Sequence, residues 1–210
     1  MKELIKKRHL IPIAVWFVIY MGLFGFLEIV PHPKEVHLIH CALDDMIPHM
    51  AVFIYPYVSW FPYIVVCAYL AIKNLDDRQF KKAVLVLTTG MNIFLFISSV
   101  WPTGLNLRES IVYDLHTLSG NLLKFVQTVD TPKSVFPSMH VYVTLVLQYT
   151  LEMQKKLVPS WGIWVGRVLA VLIVLSTMFT KQHSVLDVSA AIVMFAVLVL
   201  VVEKIVKNKE

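Results

Sequence analysis

Long apolar runs are the feature that most limits what this chain of 210 residues can fold into. The first run extends from Leu10 to Val30, which is long enough to cross the hydrocarbon core of a bilayer as a helix. A secretory signal has a shorter apolar core and a small-residue cleavage site, so we expect this run to be a retained span. The whole chain is 58% hydrophobic and only 16% charged, which is outside the range of soluble domains. The sequence therefore predicts an integral membrane protein.

Six such runs can be identified if each membrane-spanning helix takes about 20 apolar residues. They predict an all-α fold, a polytopic membrane bundle of six transmembrane helices that forms a single membrane-embedded domain over residues 1–210. The fourth run is the shortest of the six. The predicted spans are Leu10–Val30, Met50–Ile72, Ala83–Trp101, Ser138–Leu151, Trp161–Thr180 and Ser184–Val202.

The long third loop, residues 103–137, has apolar residues at near-helical spacing. This pattern predicts an amphipathic helix that lies in the membrane interface and shapes an entrance for lipid. A helix that simply packs over the bundle would show the same pattern, and both interpretations remain open. The apolar positions are Leu115, Leu118, Leu122, Leu123, Phe125 and Val126.

Clusters of lysine and arginine between the runs predict the orientation of the chain. In a six-span bundle all four clusters fall on one side, so we expect this side and both termini to be cytoplasmic in a cell membrane. The net charge of +5 is explained by these clusters, and they form no single basic stripe that would bind nucleic acid. The clusters are Lys2, Lys6, Lys7 and Arg8; Lys73, Arg78, Lys81 and Lys82; Lys155 and Lys156; and Lys204, Lys207 and Lys209.

Two polar stretches at the outer ends of predicted spans contain the candidate reactive groups. In the first, His183 and Asp187 lie four residues apart and would share one face of a helix. A carboxylate there can hold one imidazole nitrogen and leave the other free to attack an electrophile or bind a metal. The second stretch, residues 136–140 (FPSMH), places proline where a helix begins and its free N–H groups form an anion site.

These stretches resemble two motifs of the type 2 phosphatidic acid phosphatase superfamily, a group of integral membrane lipid phosphatases. Residues 137–140 are similar to its P-S-x-H motif, and Ser176, His183 and Asp187 are similar to its S-R-x5-H-x3-D motif. The order, spacing and outer position of the motifs agree with that family, whose usual architecture has six spans. Small bacterial members carry runs comparable to Asp130-Thr131-Pro132 and Lys181-Gln182-His183-Ser184.

Two departures from the family pattern concern its basic residues. Thr177 stands where the family has arginine after the serine. The upstream K-x6-R-P motif is incomplete, because Arg108 is followed by Glu109 and Trp101 replaces the lysine. Some basic contacts to phosphate are therefore missing or replaced. The nearest substitutes are Lys181, which we expect first, and Lys133.

The resemblance implies a phosphatase mechanism that needs no metal or other cofactor. His183 would attack phosphorus to form a phosphohistidine, and Asp187 would orient its ring. His140 would protonate the leaving alkoxide and then activate water for the second displacement. The expected phosphate-binding residues are Arg108, Ser138, Ser176 and Lys181.

The implied substrate is a lipid phosphomonoester or diphosphate at the outer leaflet. Phosphatidic acid, phosphatidylglycerol phosphate and polyprenyl diphosphate all carry the required phosphate. Two alternatives remain open. One is a transferase that passes a phospho-headgroup to a hydroxyl, and the other is a non-catalytic lipid binder or transporter that keeps the pocket.

Individual residues of these stretches also allow simpler interpretations. Asp187 would suit a capping box begun by Ser184, Ser176 would suit a bond to its own helix, and His140 would suit an interfacial histidine. A metal site is a further alternative, with His140, His183 and Asp187 as ligands. Residues grouped with that metal site are His37, His40 and Asp44, and the aromatic residues predicted to serve packing or the interfacial belt are Tyr55, Tyr57, Trp60, Trp161 and Trp164.

Overall fold

The computed structural model describes residues 2–29, 36–109 and 111–207, and it describes side chains from Leu10 onward. Val30, part of the first loop and Lys209 of the last basic cluster lie outside the described residues. The helices are α1 (Lys2–Ile29), α2 (Ala42–Met46), α3 (Ile54–Val58), α4 (Trp60–Asn74), α5 (Asp77–Val100), α6 (Leu118–Val129), α7 (Met139–Glu152), α8 (Ser160–Phe179) and α9 (Val185–Lys207). Two short strands, β1 (His37–Leu38) and β2 (Thr103–Gly104), and a 3-10 turn at Ala51–Phe53 complete the elements.

Within these described ranges, five helical segments are long and apolar enough to cross a membrane. They correspond to the first, second, third, fifth and sixth predicted spans, and they indicate a multi-pass membrane protein. The fourth predicted span corresponds to α7, which has only 14 residues. It extends about 21 Å, against a hydrocarbon core of about 30 Å. Six transmembrane helices and the orientation of the chain therefore stay predictions. The five segments are Leu10–Ile29, Ala51–Asn74, Asp77–Val100, Ser160–Phe179 and Val185–Lys207.

The short helix α7 is the central helix of the bundle and packs against α4, α5, α8 and α9. Its Tyr142 side chain is fully buried, and the hydroxyl donates to the Val86 carbonyl of α5 at 2.5 Å. The ring passes so close to α5 that a Cβ added at Gly90 would lie 2.1 Å from Tyr142 Cζ. Because four helices surround α7, its polar groups are shielded by protein and the helix need not match the bilayer in length.

A short parallel strand pair ties together two loops at the end of the bundle where α7 begins. His37 of β1 lies opposite Thr103 of β2. The Thr103 hydroxyl oxygen accepts hydrogen bonds from the backbone N–H groups of Val135 and Phe136, both at 3.2 Å. These contacts connect the first loop, the start of the third loop and the segment that leads into α7.

The third loop does contain a helix, α6, which begins three residues later than the predicted periodicity. Thr117 caps it, since its hydroxyl oxygen accepts from the Gly120 N–H at 3.1 Å. Leu123 is fully buried and packs against Ile54 and Tyr57 of α3. The helix therefore packs over the bundle, as one of the two interpretations requires, and its position in the membrane interface stays a prediction.

Candidate active site

The turn between α8 and α9 carries the first candidate, His183. Lys181 adopts a left-handed conformation with φ of 56°, which is a common way to end a helix. The N–H groups of Gln182 and His183 both donate to the Thr177 carbonyl, at 2.9 and 3.0 Å. The turn thereby holds the His183 backbone against the end of α8. The helix α9 begins at Val185, two residues after the histidine, so His183 lies just outside the helix in which we expected it.

His183 and Asp187 nevertheless form a buried pair. His183 Nδ1 lies 2.7 Å from Asp187 Oδ2, and the side chains are 8% and 0% exposed. A carboxylate only accepts hydrogen bonds, so the hydrogen of the imidazole is on Nδ1 and Nε2 carries a lone pair. The Ser184 hydroxyl oxygen accepts from the Leu186 N–H at 3.1 Å at the start of α9, while its hydrogen is donated to Asp44. Asp187 bonds His183.

His140 lies in the first turn of α7 and meets His183 directly. His140 Nδ1 is 3.3 Å from His183 Nε2, although the two residues are 43 positions apart. The backbone also joins the two stretches, since the Ser138 N–H donates to the Asp187 carbonyl at 3.1 Å. The structure therefore brings the three predicted catalytic residues into one cluster.

Two aromatic residues surround the His140 ring. The ring centroids of Tyr57 and Trp60 lie 4.8 and 4.6 Å from that of His140. The Tyr57 hydroxyl is also 3.0 Å from His140 Nε2, and it donates to the Asp130 carboxylate. The prediction that Tyr57 serves only packing or the interface is incomplete, because this residue hydrogen-bonds a candidate catalytic group.

The Arg108 guanidinium reaches the same cluster from the third loop. It donates to the Asp130 carbonyl and to the Gln182 side-chain oxygen. Burial lowers the pKa of Arg108 from its ordinary value, and the Asp130 carboxylate opposes this shift. Arginine remains a cation in proteins. In the described part of the chain, Arg108 Nε and Gln182 Nε2 are buried without a hydrogen-bond partner, so both can donate to an anion.

The two serines predicted to bind phosphate are fully buried. Ser138 is the N-cap of α7, and its hydroxyl oxygen accepts from the Val141 N–H at 3.3 Å. Ser176 donates to the Ile173 carbonyl of its own helix at 2.6 Å, as the simpler interpretation of this residue expects. Ser138 thus fixes the turn that positions His140, while the Ser176 hydroxyl hydrogen is used within α8.

The Lys181 ammonium group points to the α2 segment. Its Nζ donates to the carbonyl oxygens of Asp44 and Ile47, both at 2.6 Å. Thr177, at the family's arginine position, donates to the Val174 carbonyl at 2.7 Å. Lys181 therefore links the turn before α9 to the α2 segment. The neighbouring Gln182 accepts from Arg108 through its side-chain oxygen, and among the described residues its Nε2 has no hydrogen-bond partner.

Asp44 lies in the site region, where the sequence suggested it only as a ligand of the alternative metal site. Its carboxylate is buried and accepts from the Ser184 hydroxyl at 2.6 Å, from the Val185 N–H at 2.8 Å and from the Cys41 N–H at 2.8 Å. Burial by itself would raise the pKa of Asp44, but these hydrogen bonds outweigh it and the pKa is lowered. Asp44 therefore caps the start of α9 from a distant segment, and no local spacing indicates this.

The alternative interpretation as a metal site requires its suggested ligands to lie close together. Among the described residues, no group of three or more histidine, cysteine, aspartate or glutamate side chains is arranged to hold a metal ion. His40 Nε2 instead pairs with Asp45 at 2.9 Å, and Asp44 is occupied by the contacts to α9.

The fold defines a polytopic helical membrane protein whose buried site combines two facing histidines, a carboxylate and an arginine. A family model described as the PAP2 superfamily matches residues 41–201, which run from the residue before α2 into α9 and include both histidines. The chain therefore belongs to the PAP2 superfamily, and this membership indicates a phosphatase-type lipid phosphoesterase. Comparisons with curated proteins and with solved structures gave no significant match.

Proposed function

We propose that the protein hydrolyses a lipid phosphomonoester or diphosphate through a phosphohistidine on His183, at the outer face of a cell membrane. In this proposal residues 1–210 act as one membrane-embedded phosphatase domain. The observation that carries it is the alignment of three side chains. His183 Nε2 faces His140 Nδ1 at 3.3 Å, while Asp187 holds His183 Nδ1 at 2.7 Å.

In the first step the lone pair of His183 Nε2 attacks phosphorus and the bond from phosphorus to the lipid oxygen breaks. Protonated His140 gives its proton to that oxygen, so a neutral alcohol or a lipid monophosphate leaves. The Asp187 carboxylate stabilises the positive charge that develops on the His183 ring. The products of this step are the phosphohistidine, the departed lipid and neutral His140.

In the second step water attacks the phosphohistidine. His140 takes a proton from the water as its oxygen bonds to phosphorus, and the phosphorus–nitrogen bond breaks. Inorganic phosphate leaves, His183 regains its lone pair and His140 is again protonated. The same imidazole thus serves as acid and then as base.

Arg108 and Gln182 are the proposed phosphate clamp. Both have buried donors with no partner among residues 36–109 and 111–207, and Gln182 is adjacent to His183 in the chain. A guanidinium fork matches two phosphate oxygens, and the amide nitrogen offers two further N–H groups. Gln182 then makes some of the phosphate contacts that the family's arginine would make, since Thr177 stands at that position here. Lys181 stabilises the turn and does not bind the phosphate.

Phosphate release from purified protein in detergent tests the proposal. We expect release from at least one member of a panel of phosphatidic acid, phosphatidylglycerol phosphate and polyprenyl diphosphate. We also expect the rate to stay within twofold in EDTA, because the proposed mechanism uses no metal ion. Loss of the activity in EDTA, with recovery on addition of a divalent cation, would instead favour the metal alternative.

An alcohol arm of the same assay separates the hydrolase from the transferase. Glycerol or a lipid alcohol is added at increasing concentration, and free phosphate and phosphorylated acceptor are both measured. A hydrolase releases phosphate without acceptor. A product that appears only with alcohol, and free phosphate that stays at background, would support the transferase.

Replacing Arg108 with lysine is expected to lower kcat/KM by about 10²-fold or more, since loss of one preorganised donor costs roughly this factor in other enzymes. Lysine keeps the positive charge and loses the fork that holds Gln182 and the Asp130 carbonyl. Initial rates over a range of lipid concentrations measure the effect. The control is Lys124→Ala, which removes an exposed basic residue of α6 and should change kcat/KM less than twofold. Equal effects of both variants would show that phosphate binding does not need the guanidinium fork of Arg108.

A further inference from the structure

Tyr57 and Asp130 form a chain of hydrogen bonds behind His140. The Tyr57 hydroxyl contacts His140 Nε2 at 3.0 Å and also bonds Asp130 Oδ2. Tyr57 is 2% exposed, and Trp60 packs on the imidazole from another direction. Neither Tyr57 nor Asp130 belongs to the two stretches that carry the histidines, and the proposed reaction as described above does not use them.

The donors and acceptors in this chain fit together in one way. An ionised carboxylate only accepts hydrogen bonds, so the single hydroxyl hydrogen of Tyr57 is directed to Asp130. The Tyr57 oxygen is then the acceptor toward His140, and His140 Nε2 must carry the donated hydrogen. In the neutral ring Nδ1 therefore carries the lone pair, and this is the nitrogen that faces His183 Nε2 at 3.3 Å. The hydrogen bond between the two rings forms when His140 is protonated, because Nδ1 then also carries a hydrogen.

We propose that Tyr57 and Asp130 are positioning residues that hold His140 in the tautomer with its hydrogen on Nε2. This inference rests on the proposed function, and it identifies Nδ1 as the atom that gives a proton to the leaving oxygen and takes one from water. Arg108 contributes to the arrangement because it binds the Asp130 carbonyl. The helix α6 has a corresponding role, since Asp130 is its C-cap.

The two histidines are then held in opposite tautomers. Asp187 keeps the hydrogen of His183 on Nδ1 and leaves Nε2 free, whereas Tyr57 keeps that of His140 on Nε2 and leaves Nδ1 free. The two free nitrogens face each other, so a phosphate that separates them meets the nucleophile on one side and the acid or base on the other. In the other tautomer, the neutral His140 ring would carry its hydrogen on Nδ1, the nitrogen that faces His183. Nδ1 would then have no lone pair with which to accept a proton from water.

Nitrogen NMR of protein labelled with ¹⁵N-histidine tests the tautomer directly, with His140→Gln used to assign the signal. In the wild type we expect the pattern of a ring with hydrogen on Nε2. Asp130→Ala removes the acceptor of the Tyr57 hydroxyl, which can then donate to His140 Nε2 and move the hydrogen to Nδ1. Asp130→Asn keeps an oxygen acceptor and is expected to keep the wild-type tautomer. Tyr57→Phe retains the ring contact and should give a mixture.

Kinetics of the same variants provide the second readout. General acid–base catalysis contributes about 10² to 10⁴-fold, so we expect kcat to fall at least 10²-fold in Asp130→Ala and about tenfold in Tyr57→Phe. Asp130→Asn should retain kcat within threefold, a rescue that a purely structural role of the charged group would not give. KM should change less than kcat in each variant.

A wild-type signal with hydrogen on Nδ1, or an unchanged tautomer in Asp130→Ala, would overturn the inference whatever the activity. Failure of the wild type to release phosphate from any lipid would overturn the proposed function, and the NMR result would still decide the tautomer. A shifted tautomer in Asp130→Ala together with unchanged kcat would show that His140 Nδ1 is not the proton-transfer atom.

Discussion

Replacing His183 with alanine is expected to abolish phosphate release, with kcat lowered by about 10⁴ to 10⁶-fold, as when the nucleophile of other covalent enzymes is removed. The reason is geometric. The Nδ1 atom of His183 is held by a buried carboxylate, which leaves Nε2 free. The substitution removes this Nε2 atom, which is the proposed nucleophile. The measurement is phosphate release from the best lipid of the panel, in detergent and in the presence of EDTA.

A matched control separates loss of the nucleophile from loss of any histidine. His116 is an exposed histidine of the third loop, and His116→Ala should retain kcat within twofold. Thermal unfolding of His183→Ala measures whether the fold survives, and His183→Gln keeps more of the side-chain volume if it does not. Residual kcat above a tenth of the wild-type value in either variant would assign the nucleophile to another group. A cellular phenotype that is left intact by His183→Ala would instead favour the non-catalytic interpretation of this pocket.

Trapping the intermediate extends this prediction to both histidines. An aryl phosphate has a good leaving group and needs little help from an acid, so His140→Ala should still form the phosphohistidine but hydrolyse it slowly. We expect an acid-labile, alkali-stable phosphate label on His140→Ala and none on His183→Ala. A label that appears on His183→Ala would contradict the proposed order of events.

Local spacing explains why the sequence predicted which residues would meet. His183 and Asp187 are close in the chain, and a distance of four residues brings their side chains together even though the helix begins at Val185. His140 follows a proline and a capping serine at the start of an apolar run. Because both stretches lie at ends of apolar segments that pair in the bundle, their contact follows from the order of the segments.

Contacts between distant segments explain what the sequence did not predict. The partners of Lys181 are carbonyl oxygens 134 and 137 positions away, and its left-handed backbone cannot be inferred from a lysine. In the sequence nothing distinguishes Tyr57 from other interfacial aromatic residues, because its partner Asp130 lies 73 positions away in the chain. The sequence does predict the helix α7, but it does not predict that four other helices surround this helix, because composition does not record packing.

Replacing Asp44 with alanine is expected to lower both the stability of the fold and kcat. The change removes the acceptor of three donors, the buried Ser184 hydroxyl and the partly buried N–H groups of Val185 and Cys41. Each buried donor left without a partner costs about 1–3 kcal/mol. Thermal unfolding in detergent should show a clear loss, and kcat should fall because the turn that carries His183 is no longer fixed. Asp44→Asn keeps an oxygen acceptor and should lie between alanine and the wild type.

The neighbouring aspartate supplies the control for this prediction. The Asp45 side chain is 68% exposed and pairs only with His40 in the described part of the chain, and such surface pairs contribute about 0–1 kcal/mol. Asp45→Ala should therefore leave unfolding and kcat close to those of the wild type. Equal losses for the two alanine variants would show that α2 as a whole, and not the Asp44 carboxylate, supports the turn.

The pH dependence of unfolding gives an independent test of the same contacts. Hydrogen bonds outweigh burial and lower the pKa of Asp44 in the folded protein. A lowered folded-state pKa stabilises the fold fully above the ordinary carboxyl value of about 3.9, and this stabilisation disappears as the pH falls through the lowered value. The stability difference between wild type and Asp44→Asn should therefore be constant from pH 8 to pH 5 and shrink below about pH 4. A difference that grows on acidification would mean that the carboxylate does not accept these hydrogen bonds.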